Sequence, residues 1–124
     1  MKSRQRSRIL LSENRGGRTE QLELFAILNL GVAQSLASGA LTPSEALQRF
    51  YHAANCLYVR RTLRSKEANE VMGRGAQLPD LFEGLDCEEA RCEFYREIDT
   101  IRVLCLKLLA GSPARRLLSN RAAA

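Results

Sequence analysis

The sequence predicts an all-α protein, a compact bundle of four or five helices, and three observations lead to this fold class. Leucine is abundant, β-branched residues are sparse and aromatic residues make up only 6% of the 124 residues, a composition that favours helices over sheets. Apolar residues recur every three or four positions in two long segments, as they do in amphipathic helices. Glycine and proline stand between these segments, where helices are expected to end and begin. The length suits one modest domain, which we place at residues 19–110.

The first helix is predicted over residues 20–38. Its apolar positions, spaced by three and four residues and broad enough for contacts on more than one side, are Leu22, Phe25, Leu28, Val32 and Leu36. We expect Thr19 to be the N-cap, and Glu20 suits the positive end of the helix dipole. Gly31 lowers helix stability by about 1 kcal/mol relative to alanine, so the close approach of a second helix is expected there. Gly39 supplies the left-handed residue that commonly follows a helix.

A second helix is predicted over residues 43–54, and it should form a tight helical hairpin with the first. The segment TPSE begins it as a capping box with proline at the first helical position. In such a box the Thr42 hydroxyl accepts from the Glu45 amide, and the Glu45 carboxylate accepts from the Thr42 amide. The inner face, which would shield the first helix, is expected to consist of Ala46, Leu47, Phe50, Tyr51 and Ala54.

The middle of the chain is less regular. Residues 55–65 either continue the second helix or form a short extended piece, and we favour the helix. Ser65 is expected to cap a short third helix over residues 66–72. Gly73 and Gly75 are expected to end that helix, because glycine is a poor helix former and a frequent C-terminal signal.

The last helix is predicted to be the long support of the fold. Residues 79–82 are expected to form a single turn before it, and Asp86 should cap a helix over residues 87–109. Apolar positions on its inner stripe are Ala90, Phe94, Ile98, Ile101, Cys105 and Leu108. Gly111 and Pro113 should stop this helix, and we expect the hairpin to pack on it.

The net charge of the chain resides in its N-terminal end. Residues 1–18 hold six basic side chains against Glu13 alone, which equals the net charge of +5, and the remaining residues carry 13 basic and 13 acidic side chains. We predict that residues 1–18 form a basic, disordered tail. The apolar run ILL at residues 9–11 is able to dock on the domain or on a partner. Residues 111–124 are predicted to be a loose C-terminal tail.

Export and membrane insertion are not predicted. The only apolar piece near the start is residues 9–11, too short for a secretory segment, and no apolar run approaches the ~20 residues that span a bilayer. The four cysteines, Cys56, Cys87, Cys92 and Cys105, contain no C-x-x-C pair, which argues against a zinc site. We therefore predict a cytoplasmic protein with reduced thiols, no cofactor and no membrane partner.

No constellation of residues predicts catalysis. His52 is the only histidine, and Cys56 follows it at i+4 on the same expected helix, where such a pair normally packs side by side. The carboxylates of the last helix, Glu88, Glu89, Glu93 and Glu97, alternate with Arg91, Arg96 and Arg102, a pattern typical of a solvated, salt-bridged face. The segment GRGAQLPD lacks the spacing of a phosphate-binding loop. We predict that the protein is not an enzyme.

Basic clusters provide the second function class to consider. The residues that could contact a polyanion are Arg4, Arg6 and Arg8 in the tail and Arg60, Arg61, Arg64 and Lys66 inside the domain. An alternative reading of the 60–66 cluster is structural, because arginine stems also cover apolar surface beside carboxylates such as Glu67 and Glu70.

Two segments, LGVAQSLASGALTPSEA and GRGAQLPDLFEGL with the helix after it, resemble a family of small, uncharacterised bacterial helical proteins over residues 24–109. The resemblance implies a compact helical domain with no assigned activity, and proteins of that sort sometimes neutralise bacterial toxins. We therefore predict a non-catalytic interaction module of a bacterial cytosol, immunity- or antitoxin-like, whose partner is another protein or a second copy in a homodimer. The alternative is a nucleic-acid-binding protein that uses the N-terminal arginines and the 60–66 cluster.

Overall fold

The computed structural model of the protein describes residues 8–111, and these residues form an all-α bundle, as the sequence predicts. Its helices are α1 (Arg18–Ser38), α2 (Pro43–Arg49), α3 (Ala53–Tyr58), α4 (Lys66–Gly84) and α5 (Cys87–Ala110), with a short 3-10 turn at Leu11–Glu13 and a π-helical turn at Val59–Leu63. No strand occurs among the described residues. Within the same range, no helix is both long enough and apolar enough to cross a bilayer. The expected tail at residues 1–7 and the C-terminal residues 112–124 lie outside the description.

Helix α1 is central to the bundle and contacts α2, α4, α5 and the π-helical turn, so contacts on more than one side are confirmed. Its buried residues are Phe25, Ala26, Asn29, Val32, Ala33 and Leu36. The expectation for Gly31 was wrong: this residue lies on the exposed side, and no atom of a second helix comes within 4 Å of the position a Cβ would take. Gly39 ends the helix with a left-handed backbone, φ 84°, as predicted.

Helix α1 begins two residues earlier than predicted. Gly17, not Thr19, is the N-cap, and Glu20 Oε1 accepts a hydrogen bond of 2.9 Å from the Gly17 amide. Glycine has no side chain to satisfy the first amides of the helix, so the carboxylate three residues later takes over part of the cap. Gln21 adds a bond from its side-chain amide to the Gly16 carbonyl, 2.9 Å.

The capping box at the start of α2 is confirmed. The Glu45 amide donates to the Thr42 hydroxyl at 3.1 Å, and the Thr42 amide donates to Glu45 Oε1 at 2.9 Å. Pro43 occupies the first turn, where its missing N–H leaves no bond unmade. The turn between α1 and α2 is closed by a bond of 3.1 Å from the Leu41 amide to the Ser35 carbonyl.

The predicted second helix is broken after about two turns. It ends at Arg49, and α3 begins at Ala53 after three residues that include Phe50 and Tyr51, both 1% exposed. The break turns the Tyr51 side chain into the core, where its hydroxyl reaches Asn29 on α1. Ala54, expected on the inner face, is exposed as a result. The helix favoured for residues 55–65 is present as far as Leu63, but it belongs to α3 and the π-helical turn and does not continue the second helix.

The short third helix was also predicted wrongly, because α4 continues to Gly84. Ser65 caps it as expected, accepting from the Ala68 amide at 3.1 Å. The helix passes through both Gly73 and Gly75. Gly75 is buried against Tyr51, and a Cβ there would overlap the tyrosine ring, whereas Gly73 is exposed. The expected separate turn at residues 79–82 is the last part of α4.

The long final helix is confirmed within one residue of its predicted end. Asp86 caps it, accepting from the Glu89 amide at 2.9 Å. Two contacts show that α5 runs antiparallel to α4. Arg74 Nη1 lies 2.8 Å from Glu97 Oε1, and the rings of Phe82 and Phe94 have centroids 5.6 Å apart.

Residues 8–17 belong to the domain, whereas a disordered tail was expected as far as residue 18. Residues 9–11 dock on the domain, one of the two alternatives given for them, because Leu11 is 2% exposed and lies in the core cluster. The Leu11 amide donates to Asn55 Oδ1 at 2.9 Å, and the Asn55 side-chain amide donates to the carbonyls of Ile9 and Phe50 at 3.0 and 2.8 Å. Asn55 thus provides the polar partners that this backbone needs when it is buried.

Candidate interaction surfaces

Helix α5 carries a second stripe of residues on the side opposite the core, which we call the α5 outer face. Its members are Cys92, Tyr95, Asp99, Val103 and Leu106, all of them exposed. They are separated by three or four residues, so they lie on one side of the helix. The exposed fractions of Tyr95, Val103 and Leu106 are 45%, 60% and 55%, high values for large apolar residues. Such a row is typical of a surface that meets another molecule.

Charged side chains flank the centre of the α5 outer face. Arg96 pairs with Glu93 at 2.9 Å, and Arg102 pairs with Asp99 at 3.2 Å. The Asp99 side chain is 71% exposed, so its bond to Arg102 leaves carboxylate oxygen free for a further partner. Exposed i,i+3 pairs of this kind contribute little to stability, and they exchange partners at low cost.

Helix α1 lies along one edge of this surface. Arg102 Nη2 donates to Gln34 Oε1 at 3.2 Å across the α1–α5 contact. On the same exposed side of α1, Leu24 and Ile27 are 37% and 56% exposed, and Gly31 follows one turn later. The outer sides of both helices therefore present apolar side chains.

A second candidate surface, here the basic ridge, consists of Arg60, Arg61, Arg64 and Lys66, all exposed. The π-helical turn that carries it closes with a bond of 2.8 Å from the Arg64 amide to the Val59 carbonyl. Arg64 has a left-handed backbone, φ 50° and ψ 49°, which costs a non-glycine residue about 1 kcal/mol. π-Helical turns are rare and occur often at functional sites.

Arg18 holds the strained end of the basic ridge in place. Its Nε donates to the Leu63 carbonyl at 2.7 Å, and its Nη2 donates to the Arg64 carbonyl at 3.2 Å. These carbonyls end a helix and have no further helical partner, so a guanidinium satisfies them well. Arg18, which we assigned to a disordered tail, is a structural residue.

Charge is distributed unevenly between the two halves of the domain. Residues 8–66 carry eight basic and four acidic side chains, and residues 67–111 carry five basic and ten acidic ones. All ion pairs of the described residues lie within α4 and α5. The basic ridge therefore has no carboxylate within 4 Å among the described residues, and neither Glu67 nor Glu70 pairs with it. Glu70 instead binds Arg74 at 2.9 Å.

The structure brings together only part of the predicted polyanion-binding set. The basic ridge groups four of its members. Arg8 lies at the other end of α3, where its Nη2 is 3.3 Å from His52 Nδ1. The helical rise between His52 and Arg60 is about 12 Å, so Arg8 is separate from the basic ridge. Arg4 and Arg6 lie outside the described residues.

His52 has a structural role in the described fold. It is the N-cap of α3, with Nδ1 accepting from the Asn55 amide at 3.4 Å, and Nε2 donates to the Ile9 carbonyl at 2.9 Å. Burial lowers the pKa of His52, opposed by the Ile9 carbonyl and reinforced by Arg8. The Cys56 thiol points instead to the Tyr51 carbonyl, 3.6 Å away, and burial raises its pKa. The two side chains do not form a dyad.

Of the four α5 carboxylates expected on a salt-bridged face, only Glu93 and Glu97 form ion pairs among the described residues. Glu93 binds Arg96, whereas Glu97 binds Arg74 of α4. A groove of about 440 Å³ runs beside Arg74, between α4 and α5, and includes Gln77 and Leu81 in its lining. Hydrogen bonds to Glu97 and then Glu70 raise the pKa of Arg74. Its donors are thus already engaged by carboxylates.

No group of three or more potential metal ligands occurs within residues 8–111.

The α5 outer face was not recognised in the sequence. Its signal was present as a second three-and-four pattern, offset from the buried stripe of α5 and broken by Asp99.

All four cysteines are free, and Cys87 and Cys92 are exposed. No protein-family model, no curated protein and no solved structure matches this chain.

Proposed function

We propose that the protein is a non-catalytic interaction module whose partner binds the α5 outer face. The single observation that carries the proposal is the row of Tyr95, Val103 and Leu106, apolar side chains that remain 45–60% exposed. The bundle buries other large apolar residues completely, among them Phe25, Leu78 and Ile98, so the exposure of this row is a distinct feature. A surface of this type loses its contact with water when a partner covers it, and this favours association.

The hydrogen bonds of His52 and the burial of Cys56 support a non-catalytic role. Both ring nitrogens of His52 are engaged by the backbone or by Arg8, which leaves neither free to move a proton to a substrate. Nucleophilic catalysis by Cys56 would need a thiolate, and burial disfavours that charge. His52 instead joins the N-terminal segment to α3 through Ile9 and Arg8, and the Cys56 thiol donates to the Tyr51 carbonyl.

Neutralisation of a toxin is the particular form of this function that the resemblance implies. In this form a toxin, in place of a second copy of the chain, would be the protein ligand of the α5 outer face. Co-expression with a toxic protein encoded by a neighbouring gene tests this form: restored growth with the intact chain, and loss of protection with Val103→Glu, are the expected results.

Photo-cross-linking in the native host tests the interaction module. A photoreactive phenylalanine analogue is placed at Val103, and the matched control carries it at Gln48, an exposed residue of α2. We expect an adduct of one defined mass from position 103 and none from position 48. Equal adduct patterns from both positions, or none from either, would contradict the proposal.

Binding to a nucleic acid is a second candidate function, supported by the basic ridge. Four exposed cations without a carboxylate nearby are held on a strained turn that Arg18 fixes. Phosphates would neutralise this charge and release counterions, so affinity should fall steeply with salt. Deletion of residues 1–18 is unsuitable as a test, because it removes the buried Leu11 and the Arg18 bonds.

The better test compares two double substitutions of equal charge. Arg60→Ala with Arg61→Ala removes half of the ridge, and Arg91→Ala with Arg96→Ala removes two exposed arginines of α5. Anisotropy of labelled DNA and RNA should show weaker binding and a smaller salt slope, by about 2, for the ridge variant only. Equal loss in both variants, or no binding by the intact chain, would exclude this candidate.

A further inference from the structure

The α5 outer face has a symmetric arrangement about Asp99. Tyr95 and Val103 lie four residues before and after it, and Cys92 and Leu106 lie seven residues before and after it. In an α-helix, positions four and seven residues away remain on the same side as the reference residue. The exposed apolar side chains therefore occupy equivalent positions on both sides of one central carboxylate.

This arrangement is complementary to itself when two copies of α5 lie antiparallel. A two-fold axis beside Asp99 sets Tyr95 of one copy opposite Val103 of the other, and Cys92 opposite Leu106. Every apolar residue of the face then meets an apolar residue, as an isologous contact requires. Asp99 meets Asp99 in a parallel arrangement as well, but there Glu88 and Glu89 of one copy would lie against the same carboxylates of the other.

Basic residues on either side of Asp99 offset the approach of the two Asp99 carboxylates, which meet at the two-fold axis. Arg96 and Arg102 lie three residues before and after it, so both guanidinium groups of one copy approach Asp99 of the other. Each exposed carboxylate gains partners beyond its own bond to Arg102. The charges at the two ends of α5 favour the antiparallel pairing. Its N-terminal turn contains Glu88 and Glu89, and its last turn contains Lys107, so opposite charges lie near each other when two copies are antiparallel. Antiparallel helices also pair opposite ends of their dipoles.

We infer that the occupant of the α5 outer face is a second copy of this chain, bound through an antiparallel α5–α5 contact centred on Asp99. This inference rests on the proposed interaction module and identifies its partner. Helix α5 has 24 residues, about 36 Å of contact length, and the apolar row spans Cys92 to Leu106 within it. The outer side of α1 extends the contact beside Arg102.

Sedimentation equilibrium over a wide range of protein concentration tests the pairing. The monomer mass is 13.9 kDa, and we expect the intact chain to approach twice that mass as concentration rises. Val103→Glu places a carboxylate opposite Tyr95 and should leave the monomer. Gln48→Glu adds the same charge on exposed α2 and should leave the dimer. Circular dichroism confirms that each variant is folded.

A charge exchange makes the test independent of simple damage to the surface. Asp99→Arg surrounds the centre with arginines, and the double variant Arg96→Asp with Arg102→Asp surrounds it with carboxylates. Each of these chains should be monomeric alone because like charges meet. An equimolar mixture should form a heterodimer, because each Asp or Arg then faces the opposite charge.

The outcomes separate the inference from the proposed function. A monomeric intact chain at all concentrations, a dimer insensitive to Val103→Glu, or a mixture that stays monomeric would overturn the α5–α5 pairing. If the photo-cross-link at position 103 nevertheless has the mass of a different protein, the interaction module stands with that protein as its partner. If the intact chain stays monomeric and position 103 gives no adduct, both the α5–α5 pairing and the interaction module are overturned.

Discussion

The hydroxyl of Tyr51 donates a hydrogen bond of 2.8 Å to Oδ1 of Asn29, and both side chains are buried to 1% exposure or less. The Asn29 side-chain amide donates in turn to the Phe25 carbonyl at 3.0 Å. Burial, and then the nearby Cys105, raise the pKa of Tyr51 well above its usual range, so the phenol remains a neutral donor. This pair connects α1 to the break between α2 and α3, and it accounts for how an amide is accommodated in an apolar core.

Tyr51→Phe should destabilise the protein by about 1–3 kcal/mol, because it leaves the buried Asn29 oxygen without its donor. Urea unfolding followed by circular dichroism measures the loss as a lower midpoint with a similar m-value. The matched control is Tyr95→Phe, which removes the hydroxyl of a residue that is 45% exposed. It should change the free energy of unfolding by less than about 0.5 kcal/mol. Equal effects of both variants would contradict the role assigned to Asn29.

Gly75→Ala and Gly73→Ala should change stability in opposite directions. Alanine is favoured over glycine in a helix by about 1 kcal/mol, so Gly73→Ala, with no atom within 4 Å of its new Cβ, should stabilise α4. At Gly75 the same Cβ overlaps the Tyr51 ring, and the overpacking should cost about 1–3 kcal/mol. Differential scanning calorimetry of the two variants decides the point. A stabilising Gly75→Ala would mean that Tyr51 does not pack there.

Acidification should destabilise the contact between the N-terminal segment and α3. The pKa of folded His52 is below its ordinary value of 6.5, so the unfolded chain binds the proton more readily. The stabilising contribution of neutral His52 is therefore complete above about pH 6.5 and decreases as pH falls below it. Protonation also puts a proton on Nδ1, which accepts from the Asn55 amide and faces Arg8.

The test compares the intact chain with His52→Asn, which retains an N-cap side chain but does not titrate. Unfolding free energies measured at about pH 7.5 and about pH 5.5 should converge for the two proteins at the lower pH, since carboxylates contribute equally to both. Parallel pH profiles would show that His52 does not couple to folding.

Much of the fold was predictable because its signals are local. The caps at Thr42, Ser65 and Asp86 depend on residues within one turn, and each is confirmed by its hydrogen bond. The left-handed Gly39 and the extent of α5 follow from the same short-range rules. A cap depends on a few neighbouring atoms, so one sequence contains what is needed to locate it.

The errors concern residues whose conformation depends on distant partners. Gly75 was interpreted as a helix end, but its missing side chain makes room for Tyr51, 24 positions earlier in the chain. The helix break before Ala53 depends on the same tyrosine reaching α1. Arg18 and Leu11 were assigned to a tail because their partners, the carbonyl of Leu63 and the side chain of Asn55, are more than 40 residues away. Local propensity is overridden at such positions.

The α5 outer face was missed for a different reason. A sequence pattern identifies apolar stripes, but it does not say which stripe faces the core when a helix carries two. Only the packing of α1 and α4 on α5 separates Ile98 and Ile101, which are fully buried, from Val103 and Leu106, which are not. The basic ridge, in contrast, was recognisable as a cluster, and the structure adds its lack of carboxylate neighbours.

A disulfide trap tests the association of this chain through the α5 outer face most directly. Leu106→Cys introduces a thiol that, in the antiparallel pair, lies opposite the native Cys92 of the second copy. Under mild oxidation we predict a covalent dimer of twice 13.9 kDa, linked between positions 92 and 106 by peptide mapping, and none when Cys92→Ser is added. A chain that stays monomeric, or that links equally through the exposed Cys87, would contradict the account.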